Sequence, residues 1–308
     1  MSTKRLFLQR HPVLTGFFIL GVLTMLFLAG ITFFIARFFM PVQGVDLFGA
    51  HNAIGIIELK GVITSPEKAM GHLSSFVEND QVKAVVVRID SPGGTVGASQ
   101  ELFRQIKITN KTKPVVASMG SVAASGGYYA ALGAQKIVAS PGTLTGSIGV
   151  ILKFPNLEQI FEKIGYKTEV VKSGDLKDLG SSSRTLTQEE RDLLQQLLDN
   201  VHNQFIDDIV SSRELPESEV RNLADGRIFS GEQAQQLGLI DELGNFYDAV
   251  SLAAKLAGLP TENPKLYYPE DNDFSVFKLL AGPQGSSALL DHLPLLSPTF
   301  SYEWSLSE

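Results

Sequence analysis

The chain has 308 residues, a formal net charge of −7, 44% hydrophobic and 19% charged residues, five histidines and no cysteine. That balance belongs to a globular protein and excludes a disordered one, and the missing cysteine excludes thiolate catalysis and thiolate metal sites while fitting an oxidising compartment. The four basic residues before Pro41 (Lys4, Arg5, Arg10 and Arg37) face no acid there, which leaves 22 basic against 33 acidic residues in the remainder and argues against a nucleic-acid partner.

Residues 12–36 carry no charge and are mostly Leu, Ile, Val, Phe, Gly, Thr or Ala. At about 1.5 Å per residue this run is long enough for a hydrocarbon core of about 30 Å, so the sequence predicts one transmembrane helix. A cleavable signal peptide has an apolar core of roughly 7–15 residues and a small-residue exit, whereas this run is longer and leaves through Arg37-Phe-Phe-Met-Pro41. Three basic residues precede the run and one follows it, which places residues 1–11 in the cytoplasm and everything after the 12–40 anchor across the membrane. The expectation is a single-pass protein of the cell inner membrane with a periplasmic or extracellular catalytic domain.

After a linker at 41–52, residues 54–63 read as a strand and 83–90 as a buried one. The alternation continues with a helix at 99–107, a strand at 114–118, a helix at 123–132, a strand at 136–139, a helix at 157–164 and a strand at 167–171. Thr187-x-x-Glu190 and Ser230-x-x-Gln233 are capping boxes that open helices, the first ending near Ser212, and Asn245 caps another that ends near Gly258. This pattern predicts one α/β domain over 53–260 with a largely parallel sheet. The stretch 261–308 is rich in Pro, Asn, Asp and Ser, with apolar clusters at 277–280 and 289–296, and reads as a loosely held tail.

None of the five histidines lies beside a Gly-rich turn or an acidic motif, and the sequence lacks a His-Glu-x-x-His helix, a Gly-x-Ser-x-Gly elbow and a Walker-type loop. No metal or cofactor is expected. Two Gly-rich turns stand out instead, Asp90-Ser-Pro-Gly-Gly94 and Ser125-Gly-Gly-Tyr-Tyr129. In the first, paired glycines let the main chain approach a ligand with no Cβ in the way. In the second, the Ser125 hydroxyl and the following N–H point into one small space, as acyl transfer requires. Serine needs a base within hydrogen-bond reach, and a lysine serves only when neutral, which demands a desolvated setting. Lys177, in Lys172-Ser-Gly-Asp-Leu-Lys-Asp178, is the candidate, after a Ser173-Gly174-Asp175 turn. Residue chemistry alone does not choose it over Lys172.

Across residues 54–258 the chain resembles the short, single-copy form of the bacterial signal peptide peptidase A family, serine proteases of the Clp-protease and crotonase superfamily. The motifs that carry the resemblance are Arg88-Ile-Asp-Ser-Pro-Gly-Gly94, Lys113-Pro-Val-Val-Ala117, Ser125-Gly-Gly-Tyr128, Gly142-Thr-Leu-Thr-Gly-Ser-Ile-Gly-Val150, Lys172-Ser-Gly with Lys177-Asp178, and Leu223-Ala-Asp-Gly-Arg227. It implies a Clp-protease/crotonase-like spiral of ββα units. It further implies Ser125 as nucleophile, Lys177 as general base, Ser147 as the hydroxyl that positions the lysine amine, and the backbone N–H groups of Gly94 and Gly126 as the oxyanion hole. The implied substrates are hydrophobic peptide segments such as released signal peptides, bound extended beside a strand edge. The implied assembly is a homo-oligomeric ring, an octamer by analogy, because this chain has one copy of a unit that the long form carries twice. Two other readings stand beside it: a crotonase-like acyl-CoA enzyme, which would use the paired N–H donors without a serine nucleophile, and a catalytically inactive membrane scaffold.

Overall fold

Strands that read as unbroken apolar runs need cover on both faces, and the sheet of this protein has it. The computed structural model describes residues 12–39, 52–269 and 299–303, and the chain divides into two units, Met1–Ala50 and His51–Glu308. In the first unit, helix α1 (Pro12–Phe39) contains a window, Gly16–Phe34, of mean hydropathy 2.4 with its apolar side chains exposed. It is long and apolar enough to cross a membrane. Most of the predicted linker lies outside the described residues.

The second unit begins with β1 (Ala53–Lys60), α2 (Glu67–Glu78), β2 (Val82–Ser91), β3 (Gly93–Thr95), α3 (Val96–Asn110), β4 (Val115–Ala124) and α4 (Gly126–Ala131). It continues with β5 (Lys136–Ala139), β6 (Leu144–Gly146), β7 (Ile151–Lys153), α5 (Glu158–Lys163), α6 (Gln188–Arg213), α7 (Glu217–Leu223), β8 (Ile228–Ser230) and α8 (Gly231–Gln236). The remaining elements are β9 (Glu242–Leu243), α9 (Phe246–Leu256), β10 (Lys265–Tyr267) and β11 (Thr299–Glu303). The main sheet runs β10-β1-β2-β4-β5-β9 with every pairing parallel. From β1 through β2 and β4 to β5 the chain adds strands in one direction, so it winds as a spiral rather than doubling back.

Alternate residues sort between two cores, as a period of two requires. Val85, Val87 and Ile89 face a cluster built with α2, α3, α4 and α6, while Ala84 and Val86 face Ala249, Val250, Ala253 and Ala254 of α9. The capping boxes at Thr187, Ser230 and Asn245 all form and open α6, α8 and α9.

Three expectations need correcting. The helix read at 123–132 starts later, because β4 runs on to Ala124. Its small residues let the second half of the strand leave β2 and pair Val122, Ala123 and Ala124 with Leu144, Thr145 and Gly146 of β6. No strand forms at 167–171; this stretch, Lys-Thr-Glu-Val-Val, is exposed, Val171 fully so, and finds no neighbouring strand to complete a ladder. Within the stretch read as a tail, β10 extends the main sheet and β11 joins a second, three-stranded sheet. The apolar clusters at 277–280 and 289–296 lie outside the described residues.

Candidate active site

The β4–β6 register builds the first part of the site. Ala124 is the parallel partner of Gly146, so the residues that follow, Ser125 and Ser147, leave their strands side by side. The Ser125 N–H donates to the Gly146 carbonyl at 2.7 Å, and the Ser147 N–H donates to the Arg227 carbonyl at 2.8 Å. Both serines hold positive φ, 52° and 50°, a backbone shape that side chains other than glycine adopt only at a cost. Two such residues at the ends of paired strands mark a place where the surrounding structure over-determines the backbone. Ser125 is buried, at 1% exposure, and caps α4, whose first helical bond runs from the Tyr129 N–H to the Ser125 carbonyl at 2.8 Å.

The second part comes from the turn after β2. The Ser91 hydroxyl accepts the Gly93 N–H at 3.1 Å, and Ile63 clamps the glycines by donating to the Gly93 carbonyl and accepting the Thr95 N–H, each at 2.8 Å. A Cβ on Gly94 would lie 2.0 Å from the Ile63 oxygen, and one on Gly126 would lie 2.4 Å from Ser99 Oγ and 3.1 Å from the Gly94 nitrogen. Both positions therefore demand glycine, and their backbones are neighbours.

Against this edge lies β11. It pairs antiparallel with β3 on one side, Tyr302 opposite Gly94, and with β7 on the other, Ser301 opposite Ile151. A Cβ on Gly93 would lie 2.2 Å from the Tyr302 carbonyl oxygen and 2.8 Å from the Gly126 nitrogen, so that carbonyl sits at the junction of the two glycine turns. Ser147, beside it, opens onto a cleft of about 510 Å³ shared with Ile151, Lys153, Asp199 and His202.

Lys177 lies elsewhere, on one turn of 3-10 helix, Asp175–Asp178. It is exposed, its amine has no hydrogen bond or ion pair among the described residues, and no contact joins it to Ser125. The turn itself is well anchored. The Asp178 carboxylate receives Lys172 at 2.7 Å and Arg184 at 3.0 Å, and Arg184 reaches on to Glu190 inside the capping box of α6. Hydrogen bonds from Arg184 first, then from Lys172, hold the Asp178 carboxyl well below the usual range, and Arg184 together with the Thr187 backbone brings Glu190 down to about 2. Lys172, the other candidate base, is committed to Asp178 and to the Asp175 carbonyl at 2.7 Å.

The pattern of peptidase family S49 matches residues 107–260. A putative protease of Synechocystis sp. is 44% identical over 82% of this chain and 91% of its own length. The chain belongs to peptidase family S49. It is a serine protease of mixed α/β fold. The chloroplastic serine protease SPPA of Arabidopsis thaliana is 38% identical over 70% of this chain and 34% of that longer one, and a putative signal peptide peptidase SppA of Enterococcus faecium is 36% identical over 59% and 54%. The solved structure of a membrane-bound stomatin-specific protease superposes with a TM-score of 0.46 at 18% identity, covering 71% of this chain and 98% of that one.

Of the residues singled out in the S49 chain, the fold brings together Ser125, Ser147, Gly94 and Gly126 and leaves Lys177 outside that cluster. Sequence reasoning missed Tyr129 and Phe205, which pack against Tyr302, and it missed β11 itself. The one available signal was the alternation of Phe300 and Tyr302 with polar neighbours.

Proposed function

We propose that this chain is a membrane-anchored Ser–Lys endopeptidase that cuts extended hydrophobic peptides, with Lys177 supplied to each site by an adjacent copy of the chain. The observation that carries the reading is β11, a peptide strand lying antiparallel between β3 and β7 with its Tyr302 carbonyl at the Gly93–Gly126 junction. A substrate bound the same way presents its scissile carbonyl to Ser125. The hydroxyl attacks, and the oxyanion is held by the N–H groups of Gly94 and Gly126. Lys177, entering neutral, takes the hydroxyl proton and passes it to the leaving amine, and water then hydrolyses the acyl-enzyme. Ser147, next to Ser125 through the β4–β6 register and at the edge of the cleft, positions the amine.

Two facts support Lys177 over Lys172: the free amine of the former and the ion pair of the latter. Placement of Lys177 on an exposed, braced turn supports delivery between copies. The apolar helix α1 supports membrane anchoring, and the excess of basic residues before it supports a cytoplasmic N-terminus. A ring of copies, eight by analogy, follows from the shared site.

Co-expression of Ser125→Ala and Lys177→Ala chains tests the proposal. In rings mixed at random, roughly a quarter of the shared sites receive an intact serine from one chain and an intact lysine from its neighbour, so about a quarter of wild-type activity returns. Activity no higher than that of the separate variants, in rings shown by differential tags to be mixed, rejects the shared site. Labelling of Ser125 by a fluorophosphonate separates the peptidase from an acyl-CoA enzyme.

A further inference from the structure

The face that α3 turns to solvent carries Arg104 and, three, four and seven positions later, Lys107, Ile108 and Lys111. All four are exposed, and at about 1.5 Å per residue they form one stripe about 10 Å long. Among the described residues none of the three cations makes a hydrogen bond or an ion pair, and Glu101, a turn earlier, bridges to none of them. The guanidinium groups of Arg184, Arg213, Arg221 and Arg227, by contrast, each face a carboxylate. The stripe forms one wall of a cleft of about 440 Å³ that reaches Phe103, Tyr129 and Asp208. The acid that lines this cleft is already engaged, for the Asp208 carboxylate accepts the Tyr129 hydroxyl.

We propose that this stripe is a docking surface for an anionic phospholipid bilayer, with Arg104, Lys107 and Lys111 receiving head-group phosphates and Ile108 entering the apolar boundary between them. The inference rests on the membrane anchoring in the proposed function and on none of its chemistry; it adds which face of the protease the bilayer meets.

Charge selects the partner. With 22 basic against 33 acidic residues beyond the anchor, an anionic surface repels the domain as a whole and accepts it only where cations gather unpaired. The spread selects a surface over a single ion, because about 10 Å of helix is too long for one phosphate to bridge and suits several head groups side by side. The construction is amphipathic as well. Lys107 lies over the Phe103 ring at 5.1 Å, which sets its stem along apolar surface with the charge at the tip, and Ile108 is 43% exposed between the cations. A helix dipole accounts for Lys111 alone, at the C-cap of α3, since Arg104 lies about two turns earlier. Reach is assured by length. The twelve residues 41–52 extend at most about 43 Å at about 3.6 Å each, so a domain tethered through them to a membrane helix stays near lipid, and a weak site suffices. At roughly fivefold per cation, the three should raise the docked-to-undocked ratio about a hundredfold.

The chain has no cysteine, so a single introduced thiol carries a fluorophore at a chosen place. Full-length chain labelled at Thr112→Cys, beside the stripe, or at Thr261→Cys, past α9 on the other side of the sheet, goes into nanodiscs whose lipids bear a spin label on the head group. In discs with about 30% phosphatidylglycerol, emission at position 112 should be quenched at least about threefold more than in discs of phosphatidylcholine alone, with position 261 unchanged. Arg104→Gln, Lys107→Gln and Lys111→Gln together should abolish that difference. Lys163→Gln, Lys167→Gln and Lys255→Gln, which remove the same charge elsewhere, should keep it. Salt at about 0.5 M should at least halve it, because exposed charges are screened. Equal quenching in the two kinds of disc, quenching at 261 in place of 112, or a difference that survives the first triple variant or high salt overturns the docking face. Inorganic phosphate at about 10 mM and matched ionic strength should leave the quenching in place; abolition at that level means a site for the free ion and overturns bilayer docking. Quenching needs no turnover and should be the same in a Ser125→Ala chain. A quenching difference without peptide cleavage by the wild-type chain therefore leaves this face standing and overturns the peptidase reading, and cleavage without the difference overturns this face alone.

Discussion

The two halves of the proposed dyad sit in opposite surroundings. Ser125 ends a central strand, at 1% exposure, with its backbone fixed by Gly146 and by glycines that tolerate no Cβ. Lys177 rides on an exposed turn between α5 and α6 that buries almost nothing and is tied down by ions rather than packing: Lys172, Asp178, Arg184 and Glu190. A nucleophile and its oxyanion donors must agree to within fractions of an ångström, and packing within one chain achieves that. A base offered to another copy needs a surface position and a firm mount, and a charged brace supplies both. The contrast is one of construction: packing within one chain fixes the surroundings of Ser125, while ion pairs hold Lys177 at the surface.

The sharpest way to break the comparison is to remove each half. Ser125→Ala and Lys177→Ala should each lower kcat by about 10⁴-fold or more, and the double variant should lose little beyond either alone. Additive losses in steady-state assays would mean that the two do not act together. Next in size is a pair of glycine substitutions, one from each region. Gly94→Ala forces a Cβ to 2.0 Å from a backbone oxygen and should cost about 3 kcal/mol or more, whereas Gly174→Ala meets nothing within 4 Å and should change stability by less than about 0.5 kcal/mol. Thermal melts of the two variants give the comparison directly.

Acid should loosen the two regions in sequence. The folded carboxyls of Asp178 and Glu190 are held low, Glu190 at about 2 against a usual 4.5, so their contribution is full above the usual value and disappears as pH falls towards 2. Hydrogen exchange followed from about pH 5 to about pH 2.5 should therefore show residues 172–190 losing protection before β4 does. Simultaneous loss would show that the mount is not a separate unit. The smallest effect belongs to Lys172→Ala. It removes a partly exposed ion pair, worth under about 1 kcal/mol, and should leave kcat close to wild type. A large loss of kcat in that variant would return Lys172 to the list of bases.

What was legible in the sequence followed from locality. Central strands such as 83–90 announce themselves because burial on both faces makes the middle of the run, residues 84–87, wholly apolar, and the three capping boxes are signals within four residues. Ser125 and Gly126 were visible for the same reason, since Gly-Gly after a serine is a contiguous cue. Ser147 came only through family resemblance. Its place beside Ser125 depends on the pairing of Ala124 with Gly146, and no local pattern encodes a register. The stretch 167–171 misled because its β-branched Thr168, Val170 and Val171 favour a strand whether or not a partner exists. The packing around Tyr302 was illegible, for it brings α4 and α6 against β11, elements joined only by the fold.

The position of β11 also dictates an order of events during synthesis. The Ser125–Gly146 link closes a loop of about 20 residues, whereas the pairing of Glu303 with Gly93 joins positions roughly 200 residues apart. Contacts of low sequence separation form early and can do so while the chain is still emerging, but β11 follows β6 by about 150 residues and leaves the ribosome well after it. The Ser125 turn is therefore assembled before β11 exists outside the exit tunnel, and each new molecule passes through an interval in which the edges of β3 and β7 are bare.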